Sequence, residues 1–188
     1  MIEARDLTQD DLLNALIAFC QSYATPRLID DMHVVSGFSN RITMPSDDND
    51  VCVVTPIAQR RSGTTIERWF EGADTLELAE YVELDVQVDC YSTNIFDARQ
   101  RVSTYEAVTR SSVGVNFFKR FGIDCLYADD PQNLTAVIDS GQYVSRWSVV
   151  LHLGYWKRVE VAQKFFNAVD VRVKNVDVHF KNEGNDGN

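Results

Sequence analysis

The chain has 188 residues, 45% of them hydrophobic and 24% charged, which suffices for one domain with its own core and is short for two. Its 28 acids against 18 lysines and arginines leave a net charge of −10, which argues against a module that grips duplex nucleic acid by displacing counterions from phosphates. With no secretory apolar region at the N-terminus and no apolar run of membrane-spanning length, the chain reads as a soluble intracellular product.

Taken in order, Thr8 followed by Asp11 resembles a capping box, and Leu12, Leu13, Leu16, Ile17 and Cys20 recur at helical spacing. An amphipathic helix is expected from Thr8 to about Gln21. Tyr23 to Asp50 is rich in Pro, Asp, Ser and Asn and reads as mainly loop. Its Asp47-Asp48-Asn49-Asp50 run lacks the turn glycine and late bidentate acid of a calcium loop, so a solvated acidic turn is expected. Val51 to Gln59 is β-branched, with Pro56 marking an edge or bulge; Arg60-Arg61-Ser62-Gly63 reads as a turn and Thr64 to Phe70 as the returning strand of a β-hairpin.

The most regular signal is Glu77 to Ser92. Val82, Leu84, Val86, Val88 and Cys90 fall on one parity; Tyr81, Glu83, Asp85, Gln87, Asp89 and Tyr91 fall on the other. A period of two puts these sets on opposite faces of a long, half-buried strand. Asn94 and Asp97 then start a helix from Ile95 to about Arg110, with Ala98, Val102, Tyr105 and Thr109 on one face and Arg99, Arg101, Glu106 and Arg110 mostly elsewhere. Ser112 is placed as the cap of a second short helix that Gly122 stops. Ile123 to Tyr127 reads as a short strand or connector, and Asp130-Pro131 as a helical turn.

Tyr143 to Trp156 is a second long strand, with Trp147, Val149, Leu151, Leu153 and Tyr155 as its apolar parity and Arg146, Ser148, Val150, His152 and Trp156 on the other. If it pairs with the first, Arg146 and His152 face the acidic parity of that strand. One or two strands are expected between Val169 and Phe180. The whole predicts an α+β domain over residues 1–180, an antiparallel β-sheet with helices packed on one face, long strands and a β-hairpin, followed by a flexible polar tail at 181–188.

Signs of catalysis are few. There is no G-x-S-x-G, phosphate-binding loop, dinucleotide fingerprint or H-E-x-x-H, and His33, His152 and His179 are scattered. Cys20, Cys52, Cys90 and Cys125 form no C-x-x-C pair, and buried, reduced thiols are expected. Glu83, Asp85 and Asp89 project from one strand face and suggest a divalent-ion site, as in a metal-dependent nuclease, but no E-x-K follows to complete it. Alternating polar residues more commonly face water or a neighbour. Trp69, Phe70, Trp147, Tyr155 and Trp156 would stack bases only within a cationic groove, so a core and an interface are their expected places.

VVTPIAQRRSGTT, the strand ending VQVDCYS, the helix opening NIFDARQ, then DDPQNL and QYVSRWSVVLHL occur in an order that resembles the neck or tail terminator family of tailed bacteriophages, from Val51 to about Phe180. The resemblance implies a structural virion protein of the neck, made in the bacterial cytoplasm, with no cofactor, metal or catalytic residue. It implies a ring, usually of six copies, that ends tail polymerisation, caps the tail tube protein and meets a head-side connector or stopper while DNA passes without specific binding. A different head-completion or connector protein is the neighbouring alternative. In such a ring Arg60, Arg61, Arg146 and Trp156 are candidate contacts with a subunit or partner, and Glu83, Asp85 and Asp89 a candidate acidic face toward the channel or an interface.

Overall fold

A capping box opens the first helix of the computed structural model, which describes residues 7–28, 33–37, 50–69, 75–137 and 143–162. The Thr8 hydroxyl accepts the Asp11 N–H and the Asp11 carboxylate accepts the Thr8 N–H, both at 3.1 Å, satisfying orphan donors at the start of α1, Gln9–Tyr23. Leu12, Ala15, Leu16, Phe19 and Cys20 form its buried stripe. β1, Val34–Ser36, lies within the segment expected to be loop and runs parallel to the start of β2, Val51–Trp69.

β2 is antiparallel to β3, Thr75–Ser92, from Val51 opposite Tyr91 to Trp69 opposite Leu76. Two helices follow. Asn94 caps α2, Ile95–Thr109, and Ser111, one residue before the expected cap, opens α3, Ser112–Lys119. Gly122, at φ +73°, turns the chain into β4, Ile123–Ala128. β5, Gln132–Asn133, and β6, Ala136–Val137, lead to β7, Tyr143–Ala162. The main sheet order is β1-β2-β3-β7-β4, with β5 and β6 also on β7. This is the expected α+β architecture.

The two long strands pair throughout, from Thr75 opposite Ala162 to Ser92 opposite Ser145. Val82, Leu84, Val86, Val88 and Cys90 of β3 sit beside Tyr155, Leu153, Leu151, Val149 and Trp147 of β7, facing the helices as their parity requires. Phe19, Val102, Tyr105, Phe117 and Phe118 close the core above them.

Two local expectations are corrected. Arg60-Arg61-Ser62-Gly63 is no turn: β2 is one continuous strand through it, and the hairpin is formed by the whole of β2 with β3. Gly63, Thr64 and Thr65 stand against Glu80 alone, so the glycine, at φ +86°, serves a bulge. Turn and bulge both recruit glycine at positive φ, and local sequence does not separate them. Asp130-Pro131 opens the short strand β5, not a helical turn. The bulge expected at Pro56 is present, with Ile57 as the extra residue. The expected strands between Val169 and Phe180, the tail 181–188 and most of the acidic turn lie outside the described residues.

Among the described residues the cluster packed under the helices reaches Val54 on β2, Val82 on β3 and Tyr155 on β7, and Leu76 and Ala79 are buried farther along β3. Beyond that cluster the three strands continue as a ribbon. From Val82 to Thr75 this ribbon is about 24 Å long at 3.4 Å per residue. Exposed Ile57, Ile66, Trp69, Trp156, Val159 and Val161 lie along it.

Candidate functional surface

The outer face of the sheet, opposite the helices, gathers most of the candidate residues. Asp85 is its centre. Arg60 Nη2 donates to both oxygens of the Asp85 carboxylate, at 3.0 Å and 2.8 Å, and His152 Nδ1 lies 2.7 Å from Oδ1. Since an ionised carboxylate only accepts, this contact puts a proton on Nδ1. The other imidazole nitrogen, Nε2, is 3.2 Å from Asp129 Oδ2, and the Tyr127 ring stacks on the imidazole at 4.0 Å. Asp85 is only 8% exposed, so its charge is compensated within the chain.

A second cluster surrounds Asp89, which is 4% exposed. Arg146 Nε donates to Oδ1 at 3.2 Å and Gln87 Nε2 to Oδ2 at 2.8 Å. The Arg146 guanidinium also sits 5.5 Å from the centre of the Tyr91 ring. Its hydrogen bond to Asp89 holds the Arg146 pKa above the ordinary value against the opposing effect of burial. Arg146 and His152 therefore do face the acidic parity of β3, as cross-strand pairing required. Glu83, between Arg60 and Gly154 in register, makes no ion pair among the described residues. Likewise among the described residues, no group of three His, Cys, Asp or Glu side chains converges as a metal site.

Toward the ribbon, the Tyr81 hydroxyl donates to Asp124 Oδ2 at 3.0 Å, and its ring meets Trp156 edge-on at 5.3 Å. Burial, then the Asp124 hydrogen bond and nearby negative charge, push the Tyr81 pKa up to about 12. Gly154, opposite Glu83 on β7, is small for a reason: a Cβ there would lie 2.1 Å from the Tyr81 oxygen. Trp156 is exposed at the base of the ribbon.

Arg60 and Arg61 do not share a tip. As neighbours on a strand they point to opposite faces, Arg60 to Asp85 on the outer face and Arg61 toward Glu80 on the inner side, at 3.9 Å. Arg68 lies 3.5 Å from Glu77. The arginines of β2 thus meet acids of β3, Arg68 directly across in register and Arg60 and Arg61 on the diagonal.

The burial of the cysteines was expected, but two buried pairings carried no signal in the sequence. Arg101, 1% exposed, donates through Nη2 to Asp50 Oδ2 at 2.6 Å and through Nε to the Pro26 carbonyl at 2.8 Å, tying α2 to the start of β2 and the chain after α1. Beneath it Cys52 and Cys90 are opposite in register, their sulfurs 3.0 Å apart, and the Tyr105 hydroxyl donates to the Cys20 carbonyl at 3.0 Å. Burial pushes the Cys20 and Cys90 thiols up, and both belong to the packed interior. Between α1 and the sheet lies a pocket of about 210 Å³, walled by Leu12, Leu13, Leu16, Pro56, Leu84 and Tyr155, with Gln9 and Gln59 beside them.

A family model described as phage neck terminator protein matches residues 10–184. Among solved structures, the sheath/tube terminator of an extracellular contractile injection system, PVC, in its extended state is similar, with a TM-score of 0.47 and 13% identity. That similarity covers 94% of this chain and 66% of the other, so the chain spans just under two thirds of that protein's length. A search of curated proteins gave no match.

Proposed function

We propose that this chain, which belongs to the phage neck terminator family, is a structural protein of the virion that terminates the tail as a ring of identical subunits, six in number, seated on the tail tube. As a terminator it assembles with tail components. The finer partners we propose are the tail tube protein on one side and a head-side connector or stopper on the other, with DNA passing through the ring and no chemistry performed on it. Assembly takes place in the host cytoplasm.

The family match over 10–184 carries this reading. The ribbon beyond the core supports it, because three strands that outrun their own helices offer area to a neighbouring subunit. The net charge of −10 per chain also supports it, since repeated acidic subunits repel DNA phosphates and ease their passage. Within that ring, Arg60, Arg61, Arg146 and Trp156 serve subunit or partner contacts. Glu83 supplies open negative charge on the outer face, while Asp85 and Asp89 hold the cations of that face in position.

Electron micrographs of the purified protein, with and without tail tubes, test the proposal: rings that cap tube ends are expected. A phage lacking the gene is expected to make overlong or unjoined tails. Normal, joined tails beside heads that leak DNA would sink the terminator ring in favour of a head-completion role. Reversing the charge of both Arg60 and Arg61 should impair head–tail joining, and intact joining would remove them from docking. Neutralising Glu83, Asp85 and Asp89 together is expected to affect assembly or DNA passage.

A further inference from the structure

We propose that Cys52 and Cys90 form a redox site that closes into a cross-strand disulfide when the folded chain meets hydrogen peroxide. The two residues stand directly opposite each other on β2 and β3, in a regular stretch of antiparallel register from Val51 to Pro56. Opposite residues of such a pair point to one face, with Cα atoms about 4.5 or 5.5 Å apart, inside the span of about 4.4–6.8 Å that a disulfide bridges. Both side chains lie under the helices and both are fully buried. Their sulfurs are already 3.0 Å apart. A bond of about 2.05 Å therefore asks for an approach of about 1 Å, which the side-chain torsions supply.

The surroundings favour this pair over the other cysteines. Cys125 is turned to the Thr109 carbonyl, to which its Sγ–H donates. Burial, then the neighbouring Cys52, push the Cys20 pKa up and keep it a thiol. Cys52 departs the other way: the hydrogen bond from Cys90 and the charge of Arg101 pull its pKa down against burial, with Asp50 opposing them. Cys52 is thus the attacking thiolate. Its sulfur takes one peroxide oxygen, the O–O bond breaks, and one water leaves a sulfenic acid behind. The Cys90 sulfur then displaces that oxygen, and its proton departs with it as a second water. Two thiols and one hydrogen peroxide become one disulfide and two waters, the sulfurs giving up two electrons. Size selects the oxidant, because hydrogen peroxide is little larger than water while glutathione disulfide is too bulky for an enclosed pair.

The residues are 38 positions apart, so the bond closes the β2–β3 hairpin into a loop fixed at its base beneath Tyr105 of α2. A virion protein folds in the reducing host cytoplasm and is released into oxidising surroundings, so this bond would lock the hairpin after release; that use, unlike the bond, rests on the reading above.

The test treats the purified, reduced full chain with hydrogen peroxide under native conditions. Intact mass should fall by two hydrogens, and digestion should yield the Cys52 and Cys90 peptides joined until a reductant separates them. The melting temperature should rise by about 5–10 °C. Cys20→Ala should still form the bond, and Cys52→Ala and Cys90→Ala should not. The mapped peptides of the unsubstituted chain decide the matter even where a variant fails to fold. Free thiols at both positions after prolonged exposure, or a bond from either to Cys20 or to a second chain, would overturn the site. Rings in micrographs alongside two unreactive thiols would overturn the bond and leave the ring standing. The joined peptides in a chain that never forms rings would support the bond and sink the ring.

Discussion

Arg60 and Asp85 join β2 to β3 through one guanidinium nitrogen placed 2.8 Å and 3.0 Å from the two carboxylate oxygens. The pair is lopsided: the arginine side chain is 60% exposed and the aspartate 11%. Losing an exposed partner costs little, whereas neutralising a buried acceptor also strips the charge that His152 faces. Arg60→Ala is therefore expected to cost less than about 1 kcal/mol, and Asp85→Asn about 1.5–3 kcal/mol. Urea denaturation of both variants measures this, and an equal or larger loss in Arg60→Ala would contradict it.

Gly154→Ala should destabilise through one contact. The new Cβ meets the Tyr81 hydroxyl and ring, at 2.1 Å and 2.6 Å, so the ring must leave Asp124 and Trp156. A cost of about 1–3 kcal/mol is expected, as for other overpacked sites. In a Tyr81→Ala background most of that cost should vanish. If the two substitutions simply add, the clash is elsewhere.

Arg101 and Asp50 are predicted to matter more than any surface pair. Breaking a buried ion pair from one side leaves an uncompensated charge and typically costs about 3–5 kcal/mol. Arg101→Met should fall near that range, since Asp50 keeps some exposure and Pro26 loses its donor as well. Thermal melts that shift no more than those of Arg60→Ala would show the pair to be dispensable.

Alkaline pH should loosen the fold through Tyr81. The phenol titrates at 10.0 when unperturbed and at about 12 here, so the unfolded chain loses its proton first. With fewer protons bound in the unfolded state, stability is whole below pH 10 and falls as pH rises toward about 12. Tyr91 and Tyr155, raised chiefly by burial, act in the same direction. Tyr81→Phe should flatten part of that slope, and an unchanged slope would remove Tyr81 from it.

Cys125 should be a slow thiol. Burial pushes its pKa up to about 11, and its Sγ–H donates to the Thr109 carbonyl at 3.2 Å. Alkylation followed by mass spectrometry should find it modified sluggishly at neutral pH and much faster as pH rises, because the thiolate is the nucleophile. Cys20, Cys52 and Cys90, fully enclosed, should be alkylated only on unfolding.

Local patterns carried much of this molecule. Thr8 with Asp11 marked the start of α1, and the parity of Val82 to Cys90 and of Trp147 to Tyr155 marked both long strands and the face each buries. Caps and period-two alternation are properties of consecutive residues, so they are legible without a fold. The family, too, was legible in the order of motifs.

Tertiary structure decided the partners. No neighbour in sequence announces that Arg60 closes on Asp85, that Arg101 is buried against Asp50, or that Tyr127 stacks on His152. Register also settled whether Arg60 to Gly63 turns or bulges, because a glycine at positive φ serves either and only the strand opposite distinguishes them. The charges of β3 show the same division. Sequence determined that Glu83, Asp85 and Asp89 share a face, while the pairing of β2, β3 and β7 brought Arg60, His152 and Arg146 to two of them and left Glu83 open. A strand's own period sets which way a side chain points, but its charge is met by residues that only folding brings within hydrogen-bonding distance.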